Sequence, residues 1–73
     1  MARIKIVSEV TGKVWKLQMS EGAQVSEDDS IMIVESMKME IPVMSTDAGR
    51  LVEILVKEGE SVEDGQVVAV IET

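Results

Sequence analysis

A chain of this size needs a nucleophile, a base or a metal site to do chemistry, and this sequence offers few. There is no cysteine and no histidine among the 73 residues. That removes thiol nucleophiles, imidazole bases, disulfides and zinc–thiolate sites together. No nucleophile–base pair and no metal-ligand cluster can be read from the remaining side chains, so neither catalytic residues nor a metal site are expected. What remains is an amine. Lys38 stands in Glu35-Ser36-Met37-Lys38-Met39-Glu40, between two methionines and two glutamates. If this segment is a hairpin, its turn dipeptide is Met37-Lys38, which is poor turn chemistry. Two-residue hairpin turns need positive φ and favour Asn-Gly, Asp-Gly or Gly-X. A segment that breaks local rules with no stability gain is a candidate for function. These features mark a place and leave open which group is attached there.

The elements that must position Lys38 are strands. Trp15 is the only aromatic residue, so the core must come from Val, Ile, Leu and Met, a composition that favours strands over helices. No segment sustains a 3.6-residue apolar repeat, and runs such as 14–19 and 51–56 have strand length and are bounded by turn signals. Sliding the sequence by 37 positions aligns its two halves without a gap: Gly12 falls on Gly49, Leu17 on Ile54, Glu21-Gly22 on Glu58-Gly59, Val25 on Val62, Ile33 on Val70 and Glu35 on Glu72. Two copies are too few for a solenoid. Residues 1–36 and 38–73 should therefore clasp each other about a pseudo-two-fold axis.

Each half reads as four strands, near 2–7, 12–19, 24–26 and 30–36, then near 39–44, 49–56, 61–63 and 67–72. Glu-Gly lies between the second and third strands of each half, and Glu63-Asp64-Gly65 makes a good turn before the last. Asp28 stands where Gly65 would be, and aspartate tolerates the left-handed region better than most residues. Pro42 cannot donate to a ladder, so its strand should be an edge or present the missing N–H outward. The expected fold is all-β: a flattened barrel or sandwich of two four-stranded antiparallel sheets. The junction between copies is Met37-Lys38, whose counterpart is the gap between Thr73 and Met1. The hairpin tip is therefore expected on the pseudo-axis at one end, with both termini at the other.

Length and charge bound the rest. Residues 1–73 make one domain, which buries only about 60% of its unfolded surface. Fourteen acidic residues against seven basic ones give a net charge of −7, which repels phosphate backbones and argues against nucleic acid as a partner. No apolar stretch approaches a membrane span, and no signal-peptide core is visible. The expectation is a cytoplasmic protein, monomeric when isolated.

The segment from Glu35 to Glu40 resembles the acceptor motif of biotin carboxyl carrier domains, whose core is Met-Lys-Met preceded by Glu-Ala or Glu-Ser. The resemblance runs along nearly the whole chain: Gly12-Lys13-Val14, Glu21-Gly22 with Val25, Gly49, Glu58-Gly59 with Val62, and Asp64-Gly65. The nearest type is the short, free-standing biotin/lipoyl attachment protein, with the barrel-sandwich hybrid fold of biotinyl and lipoyl domains. It implies a non-catalytic carrier. Lys38 would be acylated by a biotin protein ligase, and the biotinyl arm would carry carboxyl from a biotin carboxylase to a carboxyltransferase. Lysine suits this through its long flexible stem, whereas arginine is always protonated and a poor nucleophile. Met37 and Met39, being flexible and apolar, suit recognition by several enzymes; their plain alternative is packing within the hairpin. Glu35 and Glu40 would orient the tip, contact the ligase or keep the hairpin soluble.

Two departures stand against that pattern. Many carrier domains have proline before the first glycine, where this chain has Ser8-Glu9-Val10-Thr11-Gly12, and the gap-free repeat leaves no place for the protruding thumb of some bacterial carriers. Two other functions are open. Lipoyl domains of 2-oxoacid dehydrogenase-type systems share the fold and modify a hairpin lysine, but typically within Asp-Lys-Ala, so lipoate is the alternative cofactor. The other is an unmodified β-module that serves interaction alone.

Overall fold

The computed structural model describes residues 2–73. Met1, half of the gap matched to the hairpin, lies outside the described residues. The apolar runs form eight strands: β1 Arg3–Val7, β2 Gly12–Leu17, β3 Gln24–Val25, β4 Ser30–Ser36, β5 Met39–Met44, β6 Gly49–Ile54, β7 Ser61–Val62 and β8 Val67–Glu72. They build two four-stranded antiparallel sheets, ordered β1-β8-β6-β3 and β5-β4-β2-β7. Advancing every strand by four converts one order into the other, so each half places two strands in each sheet and the halves interlock. Pro42 lies in β5, an edge strand, as its missing N–H requires.

The core follows the repeat residue by residue. Ile6 and Val43, Val14 and Leu51, Val25 and Val62, Ile31 and Val68, and Val34 and Ile71 are matched pairs, and all are buried. Where the first half buries Met32, the second has Ala69. Bulges repeat too. Trp15 is the extra residue of β2 against β4, and Val52 that of β6 against β8. Ile31 and Val68 are skipped in the β4–β5 and β8–β1 ladders. A bulge bends its strand and increases twist, which lets short sheets curl over one core. Gly12 and Gly49 hold matched positions where a Cβ would run into the carbonyl oxygens of Glu35 and Glu72 respectively. The turn before β4 survives its aspartate: Asp28 takes φ 74° where Gly65 takes 88°.

Two expectations need correction. The second and sixth strands end at Leu17 and Ile54, not at residues 19 and 56. Each keeps one more bond to its neighbour, from Gln18 N–H to the Ile31 carbonyl and from Leu55 N–H to the Val68 carbonyl, before the chain turns away. At the same point a carboxylate from the opposite half caps the strand's other edge: Glu58 Oε2 accepts the Leu17 N–H at 2.9 Å, and Glu21 Oε2 accepts the Ile54 N–H at 3.0 Å.

The second correction concerns the axis. A two-fold operation that carries residue 36 onto 73 cannot hold the tip fixed, so the hairpin does not lie on the pseudo-axis. The axis exchanges the tip with the termini. β8 and β1 pair as Glu72↔Arg3, just as β4 and β5 pair as Glu35↔Glu40. Thr73 N–H donates to the Ala2 carbonyl at 2.9 Å, and Ala2 N–H returns a 3.3 Å bond to Thr73. The β8–β1 ladder is the β4–β5 hairpin with its turn cut open. The body is 36 Å long and 19 by 18 Å across.

Candidate functional site

The site begins as a backbone problem. β4 and β5 are joined by two residues only, and Ser36 pairs with Met39 across the closing step. A right-handed twisted pair closed by two residues needs both at positive φ. Met37 and Lys38 adopt φ 50° and 66°. With Asp28 they are the positive-φ residues other than glycine among the described residues. Each carries a Cβ into the left-handed region, at a cost of order 1–3 kcal/mol per residue.

The turn projects its side chains away from the body. Met37 is 93% exposed and Met39 64%. Met37 is thus almost wholly in solvent, which leaves it little packing on the hairpin, while Met39 keeps part of its side chain covered. Lys38 is exposed and has no carboxylate partner within 4.0 Å among the described residues. Its amine is free to be reached from outside.

The base of the tip is held more firmly than its end. Ser36 Oγ donates to the Thr11 carbonyl at 2.8 Å, and Thr11 Oγ1 accepts the Asp64 N–H at 3.1 Å. The hairpin is thereby tied to the β1–β2 connection and, through it, to the turn before β8. A shallow groove runs from Lys38 and Met37 past Gly12 to Ser61 and Glu63. A more enclosed cleft lies between β1 and β5, lined by Val7, Pro42 and Met44 among others, and excludes the hairpin turn. Among the described residues, the tip is lined by the open, shallow groove alone. The tip is therefore a strained turn with an accessible amine above a hydrogen-bonded base.

The structure separates the two glutamates from their counterparts in the other half. Glu72, the match of Glu35, forms ion pairs with Arg3 at 3.7 Å and Arg50 at 3.5 Å. Glu35 lies directly opposite Glu40 on β5 and opposite Lys13 on β2, with no ion pair within 4.0 Å among the described residues. Glu35 therefore does not share the structural role of Glu72. Ser36 lies inside the Glu35–Glu40 segment but was given no role of its own, and Thr11, which carries no signal in the sequence, was not expected at the site.

Residues 3–71 match the family model described as biotin-requiring enzyme. The chain is 37% identical to the biotin/lipoyl attachment protein of Bacillus subtilis, over 81% of each chain. It is 38% identical to the homolog of biotinylated protein TB7.3 of Mycobacterium leprae, over 88% of this chain and 90% of that one. It is 39% identical to the urea amidolyase of Lachancea kluyveri over 92% of its own length, but spans only 4% of that enzyme. Among solved structures, the urea carboxylase of Kluyveromyces lactis superposes with a TM-score of 0.93 at 39% identity, covering 99% of this chain and 6% of that one.

Proposed function

The chain belongs to the biotin/lipoyl attachment family, and from that premise we propose that Lys38 is its attachment lysine and that the group attached is biotin. The observation that carries the reading is the tip itself. An unpartnered lysine stands on a two-residue turn between two exposed methionines, and the turn spends stability for no packing return. The residues present fit a covalently tethered group, because the amine projects beyond the sheets and no side chain closes over it.

The chain's own part in attachment is to supply Nζ. A ligase presents biotin with its carboxyl group activated as the adenylate. Nζ attacks that carbonyl carbon, the C–N bond forms, AMP leaves and the ammonium proton passes to the ligase. The lysine must lose its proton for this, and no base stands beside it, so deprotonation belongs to the ligase. Once bound, biotin supplies a ureido nitrogen that takes up carboxyl and gives it away. From then on Lys38 and the rigid hairpin base act as a tether between a biotin carboxylase and a carboxyltransferase. They raise the local concentration of the carried group at each. Its similarity to part of a urea amidolyase and part of a urea carboxylase supports that pairing of partners.

The test is labelling by a biotin protein ligase with ATP and biotin, followed by intact mass. The wild-type chain is expected to gain one biotinyl group, and Lys38→Ala none. A wild-type chain that stays unlabelled, or that carries lipoate when isolated from its own cell, overturns the assignment to biotin.

A further inference from the structure

The repeat gives each outer face of the molecule a control on the other side. On the β5-β4-β2 face, register places Glu40, Glu35 and Lys13 in one row. Pro42, Ile33 and Lys16 form the next, with Trp15 bulged beside Lys16. The matched rows on the β1-β8-β6 face are Arg3, Glu72 and Arg50, then Lys5, Val70 and Glu53, with Val52 at the bulge. The second face is closed on itself. Arg3 reaches Glu53 at 3.4 Å as well as Glu72, Arg50 holds Glu72 from the other side, and Val70 is 8% exposed.

The first face is open. Glu35 and Glu40 stand abreast, an arrangement that destabilises a sheet. Trp15 is 50% exposed, Pro42 is exposed and Ile33 is only half-buried. Both faces rest on the same backbone plan, so folding does not demand the difference. The open face is also the one that continues into the Lys38 hairpin.

We propose that this face, centred on Trp15 and Ile33 with Glu35 and Glu40 beside the tip, is the seat of the biotin protein ligase while it modifies Lys38. The proposal rests on the reading of Lys38 given above. Reach selects this occupant. An unmodified lysine extends by four methylenes only, so the enzyme that acylates it must cover the body around it, whereas later partners meet a longer arm. Ile33 lies four residues below Met37 on β4, roughly 13 Å along the strand. An interface patch of about 800 Å² a side has a radius of roughly 16 Å, so a ligase seated on the tip covers Trp15. The surface it presents carries cationic groups for the two glutamates and a shallow apolar recess for the indole. Trp is the residue type most enriched among contacts that dominate binding. The arginines of the opposite face would repel the same surface, which tells the ligase which sheet to approach.

The experiment is the steady-state rate of biotinylation of the full chain by a biotin protein ligase. Trp15→Val copies the β-branched residue that the other half holds at the same bulge. It is expected to lower kcat/KM on the order of ten-fold through KM, with Trp15→Phe recovering most of the loss. Glu40→Arg copies Arg3, relieves the Glu35–Glu40 repulsion and is expected to raise thermal stability while also raising KM. That combination separates docking from folding. Val52→Thr, at the matched bulge of the opposite face, is the control and is expected to leave both parameters unchanged. A Trp15→Val chain and a Glu40→Arg chain that are labelled as efficiently as wild type overturn the docking face and leave Lys38 untouched. A wild-type chain that takes no biotin overturns the attachment reading, and the ligase as occupant with it.

Discussion

Met37 and Lys38 hold a conformation that their side chains disfavour, and the strain has a measurable size. Asparagine tolerates the left-handed region better than methionine and is the preferred first residue of this turn type. Met37→Asn is therefore expected to raise the free energy of unfolding by about 1 kcal/mol, read from the urea midpoint at constant slope. A midpoint that falls would show that Met37 supports the hairpin. The site was legible at this scale to an uneven degree. Lys38 could be singled out as a candidate because the repeat junction and the Met-Lys-Met segment coincide, and positive φ followed from closing two strands with two residues. The tie from Ser36 to the Thr11 carbonyl could not be read, since it joins residues 25 apart through a backbone acceptor that every residue offers. The open face could have been found. The alignment that sets Glu35 on Glu72 also sets Glu40 on Arg3, turning an attractive pair in one half into a repulsive one in the other.

Among the elements, β2 and β6 show how one half limits the other. Their central residues, bulges and first glycines were set by local pattern or by the repeat. Their last residues are capped by Glu58 and Glu21, which lie 41 and 33 positions away from the donors they accept. Glu-Gly reads locally as a turn, so the carboxylate's second task is invisible without the fold. Turns were more legible, because a positive φ at Gly65 and its match Asp28 is a demand of the chain itself. The carboxylate contacts make a paired prediction. Glu58→Ala and Glu21→Ala each leave one strand donor to water and are expected to cost about 1 kcal/mol, a modest figure because both bonds are exposed. Glutamine keeps an acceptor oxygen at nearly the same place, so Glu58→Gln and Glu21→Gln should cost less than half as much. Equal losses for alanine and glutamine, measured by denaturant unfolding, would mean that charge and not the hydrogen bond holds β2 and β6.

At the scale of the whole molecule the two-fold exchange makes the termini a second hairpin that lacks its turn. The pairs Glu72↔Arg3 and Thr73 with Ala2 repeat Glu35↔Glu40 and Ser36 with Met39. One ladder closes over two residues and the other over nearly the whole chain, although their geometry is the same. Closing a long loop costs entropy that grows slowly with length and must be met before the ladder forms. Joining Thr73 to Ala2 through Asn-Gly converts the distant ladder into a local hairpin with favourable turn chemistry. The chain can be opened instead between Asp47 and Ala48, in the connection from β5 to β6. Those two strands lie in different sheets and share no ladder. The permuted chain, running from Ala48 through the new turn to Asp47, is expected to keep the fold and take biotin at Lys38 as the parent does. It should also fold several-fold faster, because more of its contacts are local, with equilibrium stability within about 1 kcal/mol of the parent. Refolding by stopped-flow dilution from urea measures the rate, and intact mass after ligase treatment measures the tip. A permuted chain that folds no faster would mean that the β8–β1 ladder forms after the rate-limiting step, leaving the β4–β5 hairpin and its strained turn to lead the way.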